Sequence, residues 1–487
     1  MADRIGVWGH YHGNNIGDDI VVATIIENLR RRRPDVDLYG FSLDPSDTSQ
    51  RHDIPSYSLT WGQRSPHRPG SDDKDRSAAL TGDAPVRGAA KPNQAAKSDQ
   101  GEEEQPGAVA AEPSLRTRIR ERLSESDIPG FQSIGRRIAQ GLSTYRMWRA
   151  VRPLDAVVVA GSGPVFDAWG GPWSHPYNLL KWALVARLAG TKFILLSVGA
   201  GPIEEPLSAS FLRRALRLAS YHSFRDPTSV DVVHSLGVTS QTPFFPDLAF
   251  SLDAAEIDRA QKAAITSGRP IVGISTMAYM DPRHWPEPDP EAYRAYIETM
   301  SRFAAWLMQE GYDVLLLKSH RAADEHVAKD MIDWLSRHGE NSDTNRVLNP
   351  PVDDYRDLLT HIAGCALTVG VRFHCHVLPF VLGKPVVGVA YHPKSVDLMK
   401  YMGQEDYGLD IDTVTVGQLI DRFQKLRARQ DEEEKKINER VALCRDALSD
   451  QYDFLFGEAS RPADLDASSV GMNAFMEREG AKGFSPS

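Results

Sequence analysis

Short apolar runs that end in glycine or polar residues recur along this chain, with helix-like segments between them. This alternation is typical of βαβ units and of a mostly parallel sheet. The runs form two series. The first predicts strands at Ile5–Gly9, Val36–Phe41, Ala156–Gly161, Phe193–Gly199, Tyr221–Phe224 and Thr242–Phe245. The second predicts strands at Ile271–Ser275, Val314–Lys318, Ala366–Val371 and Val386–Ala390. Each series predicts its own doubly wound α/β layer, with a boundary near Asp253–Arg269.

The same pattern predicts the organisation of the chain. An N-terminal domain comprises residues 1–61 and 114–253, and a C-terminal domain comprises residues 269–415. Within the N-terminal domain, between its two stretches, residues 62–113 lose all periodicity and become rich in Ser, Asp, Gly, Pro, Lys and Ala. Such a segment buries too little apolar surface to offset its chain entropy, so we expect a disordered insert. Residues 416–458 have a helical pattern, and residues 459–487 predict a loose tail.

Size and charge restrict the class of protein. A chain of 487 residues with 41% hydrophobic residues suits two or three folded units with full cores. The net charge of -10 repels nucleic-acid phosphates, so a nucleic-acid partner is not expected. An anionic small molecule would therefore need a local group of cations or helix N-termini.

The cysteines and the hydropathy indicate a compartment. Cys365, Cys375 and Cys444 have neither CxxC nor zinc spacing, so we expect no metal site, and their odd number argues against a disulfide framework. A reducing, cytoplasmic location follows as the expectation. The chain begins with polar residues, and no apolar run approaches the about 20 residues that span a bilayer. We expect no membrane span. A peripheral position at the inner membrane face stays open, although the net charge of -10 as a whole repels anionic lipid surfaces.

A glycine-containing turn follows the first predicted strand. It includes Asn15-Ile16-Gly17-Asp18, and we predict a helix from Ile20 onwards. Glycine allows close backbone approach to a ligand, and a helix N-terminus offers unpaired N–H groups to an anion. Neither the dinucleotide GxGxxG pattern nor the nucleotide GxxxxGK pattern is present here.

Basic residues stand at three further strand ends. Arg372 and His374 lie where a buried strand gives way to an apolar helix, Arg225 ends a strand of the first series, and Lys394 follows a strand of the second. Open α/β sheets bind ligands at such edges, and arginine binds carboxylate or phosphate with two hydrogen bonds. Taken singly, each residue has a structural explanation that is as good as an anion-binding role. Arg372 could form an ion pair with a helix-end acid, and His374 could cap a helix. Their combination favours an anion site.

The ordered series of motifs resembles the polysaccharide pyruvyl transferase family over about residues 5–403. The family's motifs are matched, in order, by Asn15-Ile16-Gly17-Asp18, Arg225-Asp226-Pro227-Thr228-Ser229, Asp247-Leu248-Ala249-Phe250, Arg372-Phe373-His374, Gly383-Lys384-Pro385-Val386 and Tyr391-His392-Pro393-Lys394. The chain departs from the family where a Gly-Gly-Gly turn is replaced by Gly161-Ser162-Gly163, before a segment rich in Trp and Gly.

The resemblance implies two Rossmann-like domains that face each other across a cleft, as in GT-B glycosyltransferases. It implies transfer of a pyruvyl group from phosphoenolpyruvate to hydroxyls of a sugar unit, as a ketal, in cell-envelope or exopolysaccharide biosynthesis, with no metal or cofactor. The catalytic residues implied are His374 and Asp18, and the donor-binding residues are Arg225, Arg372 and Lys394. The acceptor, a lipid-linked sugar or an oligosaccharide, would contact Asn15, Gly17, Trp169 and Trp173, although ordinary packing also explains the two tryptophans.

Two alternatives use the same architecture. One is a nucleotide-sugar-dependent GT-B glycosyltransferase, because a fold does not fix a reaction. The other is a non-catalytic scaffold of a polysaccharide assembly complex, with the insert and tail as partner-binding elements. Binding of phosphoenolpyruvate in preference to a nucleotide sugar separates the first alternative from the pyruvyl transferase.

Overall fold

Both predicted layers form in the computed structural model, which describes residues 3–9, 15–59, 131–161, 163–168, 170–238, 242–338 and 344–457. For residues 131–140 only the backbone is described. The predicted insert at 62–113 and the predicted tail at 459–487 lie outside the described residues. The chain divides into two compact units, residues 1–69 with 146–487 and residues 70–145. Both sheets belong to the first unit, and the described part of the second, residues 131–145, is helical.

The N-terminal lobe is built on a six-stranded parallel sheet of order β3-β2-β1-β4-β5-β6. Its elements in chain order are β1 Arg4–Trp8, α1 Ile16–Arg32, β2 Asp37–Ser42, α2 Pro45–His52, β3 Ser56–Ser58, α3 Phe131–Val151, β4 Ala156–Val159, α4 His175–Ala189, β5 Lys192–Val198, α5 Pro206–Leu218, β6 Tyr221–Phe224, α6 Pro227–Ser235 and α7 Ala254–Lys262. Helices cover both faces because the central strands are buried on both sides.

The C-terminal lobe repeats this plan with a parallel sheet of order β12-β11-β10-β7-β8-β9. Its elements are β7 Ile271–Ser275, α8 Pro290–Gln309, β8 Asp313–Leu317, α9 Arg321–His338, β9 Val347–Leu348, α10 Tyr355–Ala363, β10 Cys365–Gly370, α11 His374–Val381, β11 Val386–Ala390, α12 Pro393–Tyr401, β12 Gly408–Asp410, α13 Val416–Ala428 and α14 Gln430–Phe456.

Both sheets have the strand order of a doubly wound Rossmann fold, which confirms the predicted fold class. The order reverses between β1 and β4 in the first sheet and between β7 and β10 in the second. Ligands in such folds bind at the carboxyl ends of the strands beside this reversal. The segments that follow β1 and β10 are therefore the first places to look for a site.

Several local predictions differ from the structure. The predicted strand at Thr242–Phe245 is wrong, because only a single bridge joins Phe224 to Phe244. Pro243 lies within this segment and Pro246 follows it, and a proline has no N–H to donate to a ladder. The short edge strands β3, β9 and β12 were not predicted, because two or three residues carry no readable periodicity. The proposed domain boundaries stay predictions.

The long helix α14 returns from the C-terminal lobe to the N-terminal lobe. Gln451 donates to the hydroxyl of Ser223 at 2.8 Å and to that of Tyr221 at 3.0 Å. Six residues earlier in the helix, Arg445 donates to the carbonyl of Phe250 in the N-terminal lobe at 3.3 Å. It also donates to the carbonyl of Val381 in the C-terminal lobe at 3.5 Å. These bonds join both lobes to one rigid helix, and so help to fix where the two sheet edges meet.

Candidate functional site

The first helix begins earlier than predicted. It starts at Ile16, not Ile20, because Asn15 is its N-cap and accepts a hydrogen bond from the N–H of Gly17 at 3.2 Å. The Asn15 amide also donates to Asp18 at 2.7 Å, so Asp18 lies inside the first turn and is not the cap. The N–H of Ile16 donates to the carbonyl of Ser319 in the C-terminal lobe at 2.9 Å. The turn is thus held by both lobes.

Gly17 lies directly against His374 of the other lobe. A Cβ at Gly17 would lie 2.7 Å from Cγ and 2.8 Å from Cε1 of the imidazole, and closer still to Nδ1. Carbon atoms without a bond between them do not approach this closely. Glycine is required here because of the neighbouring ring, since its φ is not in the left-handed region.

His374 begins α11 and faces a buried carboxylate. Its Nε2 lies 3.8 Å from Oδ1 of Asp247, whose side chain is 1% exposed. Arg225 approaches the other oxygen of Asp247 at 3.2 Å and donates to the carbonyl of Gly161 at 3.0 Å. Among the described residues, neither Nε2 of His374 nor Nε of Arg225 has a hydrogen-bond partner, although both atoms are buried. Buried polar atoms of this kind are rare in folded proteins and are typical of functional sites.

Two carboxylates beside His374 differ in acidity. Burial raises the pKa of Asp18. The positive charges of His374, Arg225 and Lys394 offset only part of that shift. Burial alone would also raise the pKa of Asp247, but His374 and Arg225 outweigh it and hold this pKa below its usual range. Neighbouring groups with opposite shifts are typical of acid–base sites, because one holds a charge while the other can exchange a proton.

Lys394 and Arg225 come from different lobes and share one aromatic neighbour. The ring of Phe373 lies 4.7 Å from the guanidinium carbon of Arg225 and 5.5 Å from Nζ of Lys394. The Lys394 ammonium also lies 5.4 Å from the ring of Tyr391. The structure therefore brings these two predicted donor-binding cations together beside His374.

Tyr391 reports the electrostatic potential of this region. Burial by itself raises the pKa of its phenol. The charges of Lys394, Arg372 and Arg225 outweigh that effect, so the pKa lies below the usual value. Three cations from three separate segments thus act on the hydroxyl of the partly buried Tyr391, and the region favours anions.

Arg372 has a buried partner of its own. Its Nε and Nη2 approach Oδ1 of Asp324 at 3.0 and 2.5 Å, and Asp324 is fully buried in the first turn of α9. This is the ion pair with a helix-end acid that the sequence left open. Asp324 also accepts from the N–H groups of Ser319 and His320 at 3.0 and 2.8 Å. The Arg372 guanidinium is therefore held firmly, and a donor role for it stays a prediction.

The predicted acceptor platform is only partly described. Trp169 lies outside the described residues, whereas Trp173 lies in a short 3₁₀ turn before α4 and is 67% exposed. Its indole contacts the rings of Tyr177 and Phe211 at centroid distances of 5.4 and 5.5 Å. A sugar-stacking role for either tryptophan stays a prediction.

Two residues with site contacts were not assigned from the sequence. Asp247 and Tyr391 belong to motifs that match the family, Asp-x-Ala-Phe and Tyr-x-x-Lys, but nothing local distinguishes them from structural residues. The position of Asp247 beside His374 depends on the meeting of the two lobes, whereas Tyr391 lies beside Lys394 within the C-terminal lobe. In the described part of the chain, no three His, Cys, Asp or Glu side chains are grouped to hold a metal ion.

Comparisons with known proteins agree with this geometry. The model of the family described as polysaccharide pyruvyl transferase matches residues 15–393. The amylovoran biosynthesis protein AmsJ of Erwinia amylovora is 22% identical over 295 residues, which are 59% of this chain and 69% of that protein. The solved sucrose-phosphate synthase of Thermosynechococcus elongatus aligns over 93% of this chain and 98% of its own, with a TM-score of 0.50 and 13% identity, so the likeness concerns the GT-B-like fold alone. Because the family model matches most of its length and the motif residues are grouped around His374, this chain belongs to the polysaccharide pyruvyl transferase family.

Proposed function

We propose that this protein transfers a pyruvyl group from phosphoenolpyruvate to two hydroxyls of one sugar unit, forming a ketal and releasing phosphate. The observation that carries the proposal is the group of charged side chains from both lobes around His374. Arg225 and Lys394 both contact the ring of Phe373, and Asp18 and Asp247 lie beside the imidazole. Cations for a small polyanion and a pair of acid–base groups are the parts that this reaction needs.

The donor carries a carboxylate and a phosphate, and both require positive partners. In our proposal Arg225, Arg372 and Lys394 bind these two groups, with the unpaired Nε of Arg225 as one free donor. Their combined field, which already lowers the pKa of Tyr391, favours a trianion despite the net charge of -10.

The reaction then proceeds by proton transfers and substitution at C2 of the donor. Protonated His374 gives its proton to the methylene carbon, and C2 becomes electrophilic. A sugar hydroxyl oxygen bonds to C2 while Asp18 accepts its proton. The bond from C2 to the phosphate oxygen breaks, and phosphate leaves with the proton that Asp18 accepted. A second hydroxyl of the same sugar then bonds to C2 and gives its proton to the now neutral His374. Asp247, buried and with its pKa held below the usual range, lies 3.8 Å from the imidazole and orients it.

The acceptor is proposed to enter from the N-terminal lobe. Asn15 and Gly17 form the turn that presents Asp18, and Trp173, with Trp169, would stack on sugar rings. We propose that the N-terminal domain, residues 1–61 and 114–253, is the acceptor side and that the C-terminal domain, residues 269–415, is the donor side. A cytoplasmic location remains part of the proposal, and Cys365, Cys375 and Cys444 are all free and buried.

Phosphate release tests the proposal directly. The purified protein is incubated with phosphoenolpyruvate and a panel of nitrophenyl or lipid-linked sugars, and free phosphate is measured with each acceptor. Equilibrium binding of phosphoenolpyruvate is compared with that of a uridine diphosphate sugar. Binding of the nucleotide sugar alone, with no phosphate release from any acceptor, would favour the glycosyltransferase instead.

Lys394 offers the cleanest test of donor binding. Arg225 and Arg372 each neutralise a buried aspartate, so truncating either also destabilises the fold. For Lys394→Met, which removes the charge but keeps the aliphatic stem, we expect phosphoenolpyruvate affinity to fall by about 2 kcal/mol, roughly 30-fold in Kd. Lys400→Met, at the exposed end of the same helix, is the matched control. Equal affinities of the two variants, measured by calorimetry, would remove Lys394 from the donor site.

The ionised side chain of Asp18 should lower the stability of the folded protein at neutral pH. Because the pKa of Asp18 is raised in the folded state, the folded protein binds this proton more tightly than the unfolded chain does. Stability is therefore lost as pH rises through the raised pKa. For Asp18→Asn we expect a higher Tm than wild type at pH 7, a difference that shrinks towards pH 4, together with loss of turnover. Thermal unfolding at both pH values measures this, and a lower Tm at pH 7 would contradict it.

A further inference from the structure

The outer faces of two neighbouring helices in the N-terminal lobe carry an apolar stripe. On α4, Tyr177, Leu184 and Leu188 are 39%, 44% and 78% exposed. Their spacing of seven and four residues places them along one side of the helix. The opposite side of α4 is buried in the lobe's core, so the stripe is surplus to what folding requires.

Helix α5 has a stripe with the same spacing. Leu207 is 41% exposed. Phe211 follows four residues later and Leu218 seven residues after that, and both are partly exposed. Trp173 joins the two stripes, since its ring contacts both Tyr177 and Phe211, whose own rings lie 6.1 Å apart. We call these residues the α4–α5 face: Trp173, Tyr177, Leu184, Leu188, Leu207, Phe211 and Leu218.

The charge around the α4–α5 face is opposite to that of the whole chain. Neither α4 nor α5 contains an acidic residue, and together they carry Lys181, Arg187, Arg213, Arg214 and Arg217. The chain as a whole has a net charge of -10. Lys181 follows Tyr177 by four residues, and Arg214 follows Leu207 by seven. This spacing places each cation within the apolar stripe of its own helix. From Trp173 to Leu218 the sequence contains only two acidic residues, Glu204 and Glu205, and both precede α5.

Both helices begin at the edge of the sheet that holds the candidate site. In a parallel sheet the helix after each strand starts at that strand's carboxyl end, which is also where Asp18 and Arg225 follow β1 and β6. Trp173, Tyr177 and Leu207 therefore lie at the same edge as the site. A surface bound by this face would be close to the entrance for an acceptor.

We propose that the α4–α5 face binds the surface of an anionic lipid bilayer. Tryptophan, tyrosine and leucine insert at the level of the headgroups, and the cations between and beside them contact lipid phosphates. Charge favours this occupant over a second copy of the chain, because a symmetric dimer would bring Lys181 and Arg214 of one copy close to the same two cations of the other. The proposal does not depend on the donor or on the chemistry proposed above.

Vesicle sedimentation with the full chain tests this without any activity. We expect binding to vesicles of phosphatidylcholine with phosphatidylglycerol, little binding to phosphatidylcholine alone, and weaker binding as salt is added. Leu184→Ser with Leu188→Ser should lower the partition constant of the protein for these vesicles by at least about tenfold. Leu43→Ser with Val396→Ser, which alters two exposed apolar residues elsewhere, should bind like wild type.

A second pair of variants tests the charge. Arg187→Glu with Arg214→Glu should reduce binding by about tenfold or more, whereas Lys262→Glu with Arg294→Glu makes the same change of charge on other helices and should reduce it much less. Equal loss in both pairs, or equal binding to neutral and anionic vesicles, would overturn the proposal. So would a wild-type chain that ignores vesicles but self-associates through Leu184 and Leu188 in sedimentation velocity, since the face would then join two copies.

Discussion

His374→Gln is expected to lower turnover by roughly 10²–10⁴-fold while leaving phosphoenolpyruvate binding nearly unchanged. Glutamine keeps the approximate size and one hydrogen-bonding group of histidine but has no transferable proton. The imidazole faces the buried carboxylate of Asp247 at 3.8 Å. Removal of the ring should therefore affect the protonation of the donor more than its binding.

Two measurements separate this role from a binding role. Single-turnover rates and calorimetric affinity are compared for wild type, His374→Gln and His338→Gln, whose histidine lies in the exposed last turn of α9. The wild-type rate should fall as pH rises, because the protonated ring is the donor, and His374→Gln should lose this dependence. A variant that turns over normally with the same pH profile would transfer the acid role to another residue, and a variant that no longer binds the donor would make His374 a binding contact.

Gly17→Ala is expected to reduce turnover by about 100-fold, although it adds only one methyl group. The new Cβ would lie 2.7 Å from Cγ of His374, so the imidazole or the Asn15 turn must move. A displacement of about 1 Å in a catalytic group can cost a factor of about 10². The alanine itself is compatible with the backbone, since Gly17 does not have a positive φ and lies within a helix.

The control for this substitution is Gly417→Ala in α13, where a Cβ meets nothing within 4 Å. It should keep full activity and equal or greater stability, because alanine is the better helix former. A truncation of the opposing ring provides the second check. In a His374→Ala background, Gly17→Ala should cause little further loss of turnover, since the clash is gone. Unchanged turnover in the Gly17→Ala variant would contradict the prediction, because the reaction would then tolerate a displacement of the His374 imidazole.

Much of the fold was predictable because its determinants are local. Strands β6, β7 and β11 begin and end where their apolar runs do, and every predicted central strand forms. A buried parallel strand needs a continuous apolar run, which neighbouring residues alone display. The edge strands β3 and β9 were missed because they are short, and the Thr242–Phe245 segment failed because its prolines remove the required donors.

The sequence by itself determined two Rossmann-like layers, the family, and the placing of Arg225, His374 and Lys394 at strand ends. These properties follow from apolar periodicity and from ordered motifs within single segments. Only the tertiary structure placed Gly17 against His374 and set Asp247 beside the same ring. Such pairs join residues that are remote in the chain and lie on different lobes. Their distances depend on how two complete sheets are held together by α14 and by the contact of Ile16 with Ser319, which no local pattern encodes.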